Sequence, residues 1–235
     1  MADGKRIGAA VAAGLLLGAA TASADELADY EAGLRAAALV TPAFQVRLAV
    51  PPAGETVEVV SFARPDEIPV AARSFDIWVS LPRELRNACA GATNPALRLQ
   101  QVLGLPYQPT NNVIKILSVT RASLFRPCLG GGGLDDSQCG LGKIPPLADN
   151  ATPAEQRRLY FLASQVWDSH RQGFARTGAV SGAYPYGGFP FTGMGWTYDW
   201  SPANPSHVGV AEFVVPRDAA VTTVGVTTPA EFCRR

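Results

Sequence analysis

Residues 207–226 read HVGVAEFVVPRDAAVTTVGV, and this stretch decides the fold class. Its two runs rich in β-branched residues, His207 to Val215 and Ala220 to Val226, are separated by a short segment with proline and aspartate. Runs of this length and composition, bounded by turn residues, predict β-strands. Similar runs predict further strands over 44–50, 56–62, 75–81 and 113–119, the first two joined by a turn at 51–55.

Capping residues and prolines mark the predicted helices. The capping box Thr152-Pro153-Ala154-Glu155 predicts a helix from Pro153 to Arg171, because the Thr and Glu side chains satisfy two amides reciprocally. The same four letters at 228–231 predict a short terminal helix that presents Cys233. Asn94-Pro95 predicts a helix that ends at Gly104. Shorter helices are predicted over 26–38 and 82–89.

These elements together predict one α+β domain over residues 25–235. Its expected architecture is a mainly antiparallel sheet with one long helix packed on it, stapled by disulfides. The remaining length is enough to bury a substantial core in one domain.

The first 24 residues have the pattern of a secretory signal peptide. Lys5 and Arg6 precede the apolar run from Ile7 to Ala20, and Ala22-Ser23-Ala24 supplies small residues for cleavage. The apolar run is shorter than the roughly 20 residues that a membrane span needs. We therefore expect cleavage after Ala24, no membrane span, and a periplasmic or secreted protein. The Ala, Arg, Pro and Gly bias suggests a bacterial source, and a buried N-terminal helix is the alternative reading of 1–24.

Four cysteines follow the expected cleavage site, and an even number in an oxidising compartment predicts two disulfides. Of the three possible connectivities, the preferred one pairs Cys128 with Cys139 and Cys89 with Cys233. The first bridge would close the glycine-rich loop at 130–133, and the second would tie the C-terminus to the middle of the chain. The chain has no CxxC pair or nearby His cluster, so neither a metal nor another cofactor is predicted.

The balance of charge bears on the class of partner. The chain carries 20 basic and 20 acidic residues, a formal net charge of zero with neutral histidines. This balance indicates neither a nucleic-acid groove nor binding to an anionic membrane surface. A small molecule, a glycan or a peptide remains as the expected partner.

An aromatic segment is the strongest candidate for a binding surface. Seven aromatic residues fall within 184–200, interleaved with glycines. Trp196, Tyr198 and Trp200 recur with period two, so on a strand they share one face, as a sugar-stacking or peptide-gripping platform requires. Tyr184 and Tyr186 complete the predicted ligand-binding set. The alternative is that this face packs into the core beneath the long helix.

Three residues are candidates for acid–base chemistry. Glu212 is an acid within an otherwise apolar strand, although an acid on the solvent face of an edge strand has the same pattern. The strand after the aromatic segment can bring His207 close to Asp199, and a histidine–carboxylate pair can act as general base and orienter, with Ser206 or Ser181 as nucleophile. The chain has neither a GxSxG elbow nor an HExxH helix.

The leading hypothesis is a secreted or periplasmic binding or accessory protein that recognises its ligand with the glycine-aromatic surface. One alternative is an extracytoplasmic hydrolase that acts on an envelope or extracellular polymer, with Glu212, Asp199 and His207 as its acid–base groups. The other is a structural envelope protein without a ligand. The burial of the three period-two rings and of Glu212 separates these hypotheses.

Overall fold

The computed structural model describes residues 24–37, 45–65, 75–106, 112–141, 143–174 and 189–234. These residues form an α+β structure with one antiparallel sheet. The strands are β1 (Thr56–Ala63), β2 (Ile77–Ser80), β3 (Val113–Thr120), β4 (Trp196–Tyr198), β5 (Val208–Val215) and β6 (Val221–Thr227). The helices are α1 (Ala24–Ala37), α2 (Pro82–Cys89), α3 (Pro95–Val102), α4 (Pro153–Phe174) and α5 (Pro229–Arg234), with a 3-10 turn at Arg121–Ser123.

The strand order is β4-β5-β2-β1-β3-β6, and every neighbouring pair is antiparallel. β5 and β6 follow each other in the chain, yet three strands lie between them. In a flat sheet their axes would be roughly 19 Å apart, four spacings of about 4.8 Å. The link at 216–220 contains a turn in which Ala219 N donates to Pro216 O at 3.0 Å. Because a short link that contains a turn does not span the distance expected for a flat sheet, the sheet curls and brings the end of β5 close to the start of β6.

Alternate strand residues build a core on each face of the sheet. Val57 and Val59 of β1 face the first core, and Val60 faces the second. The first core consists of Val57, Val59, Ile77, Val79, Leu81, Leu117, Val119, Leu124, Ala211, Phe213 and Val215. The second consists of Val60, Leu85, Cys89, Leu99, Val102, Ile114, Val210, Phe232 and Cys233. Because the second set includes α2, α3 and α5, these three short helices cover that face.

The predicted cover of one long helix is not confirmed. α4 begins with the predicted capping box, in which Thr152 N donates to Glu155 Oε2 at 2.7 Å and Glu155 N to Thr152 Oγ1 at 3.3 Å. α4 lies beside α1, and it meets the sheet through the ring of Phe161, 5.3 Å from that of Trp78. The main cover is the trio α2, α3 and α5, because their buried side chains share one core with the sheet.

The prediction of a strand over 44–50 is wrong for the described residues, 45–50. The alternation predicted the burial of Leu48, but Val50 is 40% exposed and no ladder forms. Leu48 N donates to Ser137 O at 2.7 Å, and Arg126 Nη2 donates to Ala49 O at 2.9 Å. The backbone of this segment is thus satisfied by a side chain and a loop instead of by a neighbouring strand.

Both predicted disulfides are confirmed. Cys89 pairs with Cys233 and joins α2 to α5, and Cys128 pairs with Cys139 and closes the glycine-rich loop. The predicted signal peptide lies outside the described residues, except for Ala24 at the start of α1. None of the helices in the described part of the chain has the length and apolar character that a membrane span needs.

Candidate functional site

The three aromatic rings of the predicted platform lie inside the protein. Trp196, Tyr198 and Trp200 do share one side of the chain, but their exposed fractions are only 1%, 5% and 2%. None of them therefore offers an open face to a ligand, and the prediction of an exposed stacking surface is corrected at these positions. Tyr184 and Tyr186 lie outside the described residues.

Helix α1 covers the rings of Tyr198 and Trp200. The ring of Tyr30 meets Trp200 edge-on, with centroids 5.7 Å apart. A Cβ at Gly33 would lie 2.9 Å from the Trp200 Cβ, so only glycine allows this approach. Tyr30, Gly33, Leu34 and Ala37 recur at the spacing of one helix face, a signal in the sequence that could have predicted this cover.

Asp199 has a structural role, because hydrogen bonds fix its carboxylate in the protein interior. Its carboxylate is fully buried and receives both arms of the Arg98 guanidinium, Nη1 to Oδ1 at 2.8 Å and Nη2 to Oδ2 at 2.6 Å. Ser201 N donates to Oδ1 at 3.0 Å, and Asn204 Nδ2 donates to Oδ2 at 2.8 Å. These four bonds engage both oxygens. They tie α3 to the turn before β5.

His207 and Asp199 are brought together, as the sequence predicts, but not as a catalytic pair. His207 Nδ1 lies 2.8 Å from the backbone oxygen of Asp199, and since a carbonyl oxygen only accepts, Nδ1 carries the hydrogen. The imidazole stacks on Tyr198, with centroids 5.1 Å apart. Ser206 Oγ donates to Asn204 Oδ1 at 2.7 Å. These contacts build a turn rather than a relay from serine through histidine to a carboxylate. Ser181 lies outside the described residues.

Glu212 is a buried acid in the interior of the sheet. Its strand, β5, has β4 on one side and β2 on the other, so the reading of Glu212 as a solvent-facing acid on an edge strand is wrong. The side chain is 7% exposed, and Oε1 has no hydrogen-bond partner among the described residues. Burial raises the pKa of Glu212 to about 8, although the charge of Arg126 opposes the rise. Glu212 is therefore a neutral acid at neutral pH.

Sequence reasoning missed Arg126, a buried cation beside the closed loop. Its guanidinium carbon lies 4.6 Å from the centre of the Phe213 ring, and Nη2 donates to the backbone oxygens of Ala49 and Leu134. Burial lowers the pKa of Arg126 below its usual value. The only hint in the sequence is that Arg126 lies two residues before Cys128, the cysteine that opens the loop.

The outer edge of β6 is a second feature that sequence reasoning missed. β6 ends the strand order, and no other described strand pairs with its outer side. Val224 and Val226 are 51% and 59% exposed, and the seven residues of β6 carry no charge and no proline. Edge strands of soluble proteins usually carry charges or prolines that discourage pairing. β6 lacks these two safeguards.

The hydrogen-bond alternation shows which β6 residues face outward. Arg121 N donates to Glu55 O, so this opposite pair on the β3 and β1 side is hydrogen-bonded. Hydrogen-bonded and non-bonded pairs alternate along an antiparallel ladder. The register between β3 and β6 slips by one residue at Val224. Counting the alternation along β3 through this register shows that the backbone groups of Thr222, Gly225 and Thr227 point toward β3. Val221, Thr223 and Val226 point theirs away from the sheet.

The opposite edge of the sheet is covered. β4 is three residues long, and Thr197 Oγ1 donates to Val102 O at the C-terminal end of α3. Trp200 N donates to Gln101 O at 3.3 Å. Within the described ranges, β6 is therefore the strand that leaves a row of backbone donors and acceptors open.

Comparison of the chain with protein-family models, curated proteins and solved structures found no match. The described residues contain no group of three or more His, Cys, Asp or Glu side chains that could hold a metal. Function is therefore inferred from the chain's own residues, and two features stand out: the open edge of β6 and the buried groups around Glu212.

Proposed function

We propose that the protein is an extracytoplasmic binding or accessory protein that captures an extended, uncharged polypeptide segment along the outer edge of β6. The open backbone edge carries this proposal. A bound segment would add a seventh strand to the sheet, the mode called β-augmentation, in which main-chain hydrogen bonds supply the affinity.

The chemistry of the edge favours a polypeptide over a glycan or a small molecule. The outward N–H and C=O groups of Val221, Thr223 and Val226 repeat along one line, interrupted only by the irregularity at Val224. An extended peptide backbone presents a matching row of acceptors and donors. Since β6 has no charge to pair with a charged partner, a neutral segment with β-branched side chains fits it best.

The size of the edge favours a peptide segment over a second copy of this chain. β6 has seven residues, whereas a stable interface uses about 20–30 residues on each side. A strand-only contact of this size suits reversible capture of a short segment. It is too small to hold two folded chains together by itself.

The extracytoplasmic location is part of the same proposal. Two disulfides fit an oxidising compartment, because cytosolic thiols are usually kept reduced. The predicted signal peptide supports a periplasmic or secreted protein. The hydrolase hypothesis has less support, since the carboxylate of Asp199 is engaged by Arg98 and Glu212 is buried.

We expect Thr223→Pro to weaken peptide binding about tenfold or more while the fold is kept. Proline lacks the N–H that Thr223 points outward, so the bond to the partner is lost and the ladder with β3 is not. The probe is a fluorescein-labelled peptide of alternating valine and threonine with blocked ends, followed by fluorescence anisotropy. The loss corresponds to about one good hydrogen bond.

Two variants serve as controls for this experiment. Thr223→Ala keeps the outward N–H and should bind as the parent protein does. Thr222→Pro removes an N–H that points toward β3, so it should lower the melting temperature. Equal affinity of Thr223→Pro and the parent protein would contradict the proposed site, and concentration-dependent self-association through β6 would contradict the proposed partner.

A further inference from the structure

Three ionisable side chains, the buried Glu212 and Arg126 and the half-buried Glu84, surround the start of the pairing between β5 and β2. Glu84 of α2 accepts a hydrogen bond from Ala211 N–H, just beyond the point where β2 ends. Glu212 follows in β5, and Arg126 is close enough for its charge to act on both acids. With one of the two acids protonated the group is electrically neutral. With both ionised, a net negative charge is buried.

Glu212 is the acid that keeps its proton. Its pKa is raised to about 8, mainly by burial. Burial also raises the pKa of Glu84, but the bond from Ala211 N–H and the charge of Arg126 oppose that rise. Asp136 also acts on Arg126, together with both glutamates. Arg158 is a further cation nearby, and its Nη2 donates to Arg126 O at 3.4 Å. Near neutral pH Glu212 therefore keeps its proton beside the Arg126 guanidinium and the Glu84 carboxyl.

The backbone of Glu212 anchors the segment that covers the Cys128–Cys139 disulfide. Glu212 N donates to Gly195 O at 3.0 Å. A Cβ at Gly195 would lie 2.8 Å from Cys139 Sγ, so this backbone lies directly against the sulfur. The preceding residue, Met194, pairs with Cys128 as an isolated bridge. The two-residue segment Met194–Gly195 thus packs against both cysteines. Cys128 is 1% exposed and Cys139 is 2% exposed.

We propose that Glu212 is a proton-controlled latch on the Cys128–Cys139 disulfide. While the Glu212 carboxyl is protonated, the segment Met194–Gly195 stays in place and shields the sulfurs from reductants. When the proton is lost, the buried negative charge favours an open state in which Glu212 reaches water and the segment leaves the disulfide.

The direction of the pH dependence follows from proton counting. In the open state the carboxyl titrates near its ordinary value of 4.5, and in the closed state near 8. Between these two values the closed state holds one more proton, so each unit of rising pH favours opening by about tenfold. Below 4.5 and above 8 the two states hold the same number of protons, and opening no longer depends on pH.

The test is the rate at which a water-soluble phosphine reduces each disulfide between pH 5 and pH 8. Samples are quenched with acid and the two disulfides are quantified by peptide mass spectrometry. We expect the rate for Cys128–Cys139 in the parent protein, divided by that in Glu212→Gln, to rise about tenfold per pH unit. The ratio removes the pH dependence of the reductant itself.

Two controls make the result specific. Glu58→Gln changes an exposed glutamate of β1 and should behave as the parent protein does. The Cys89–Cys233 disulfide, which lies in the second core, should show no comparable rise. Comparing the two disulfides within the parent protein also keeps the test valid if Glu212→Gln fails to fold. A ratio independent of pH, or an equal rise at both disulfides, would overturn the latch.

Discussion

Replacing Trp200 by alanine is expected to lower the free energy of unfolding by about 3 to 5 kcal/mol. The ring is 2% exposed, meets Tyr30 edge-on, and donates through Nε1 to Leu105 O at 2.9 Å. The substitution removes these contacts, leaves a cavity beneath α1, and strands the carbonyl of Leu105. Urea unfolding followed by circular dichroism measures the loss.

Tyr160→Ala is the matched control for this prediction. Tyr160 is an aromatic residue of α4 that is 68% exposed, and its loss should cost about 0.5 kcal/mol or less. If Trp200→Ala were as stable as Tyr160→Ala, the ring would not belong to the core. The exposed platform predicted from the sequence would then regain support.

Arg98→Met is expected to lower the free energy of unfolding by about 3 kcal/mol. Asp199 is fully buried, and Arg98, whose side chain is 23% exposed, supplies its countercharge. Removing one partner of a buried pair leaves an uncompensated charge, which is the costly case for such pairs. The bonds from Ser201 N and Asn204 remain, and they limit the loss.

The double variant Arg98→Met with Asp199→Asn separates charge from packing. Because asparagine is neutral, the double variant should recover part of the stability that Arg98→Met loses. Chemical denaturation of the parent protein, the two single variants Arg98→Met and Asp199→Asn, and the double variant gives the coupling between the two residues. A double variant less stable than Arg98→Met would show that the buried charge is not what destabilises the single variant.

The sequence predicted the elements whose signals are local. The capping boxes that begin at Thr152 and Thr228 form as expected, and the Asn94 side chain accepts from Leu97 N at 3.1 Å. Each such motif is complete within four residues, so the rest of the fold does not alter it. The disulfide pairing was predictable for a related reason, because Cys128 and Cys139 lie close in the chain and the other pair follows by elimination.

The sequence did not predict the properties that depend on distant partners. The alternation at 45–50 is that of a strand, but its partners are a loop and the side chain of Arg126. The period of Trp196, Tyr198 and Trp200 placed the three rings together, but their burial depends on distant partners such as α1, which share the same core. Glu212 is interior because β4 and β2 flank its strand, a pairing that its own neighbours in sequence do not specify.

The edge of β6 illustrates the same limit for function. Its residues, VTTVGVT, predict a strand in any position of a sheet. The strand order makes it an edge, and the register with β3 determines which of its amides face outward. The proposed binding surface is therefore a property of the assembled sheet, with no motif of its own in the sequence.

Amide hydrogen exchange of β6, followed residue by residue by NMR with and without the valine–threonine peptide, tests the proposed function most directly. The amides of Thr222, Gly225 and Thr227 should be protected in both samples, because they point toward β3. Those of Val221, Thr223 and Val226 should exchange fast in the free protein and at least about tenfold more slowly with saturating peptide. Outward amides that are already protected in the free protein, or that saturating peptide leaves unchanged, would contradict β6 as a capture edge.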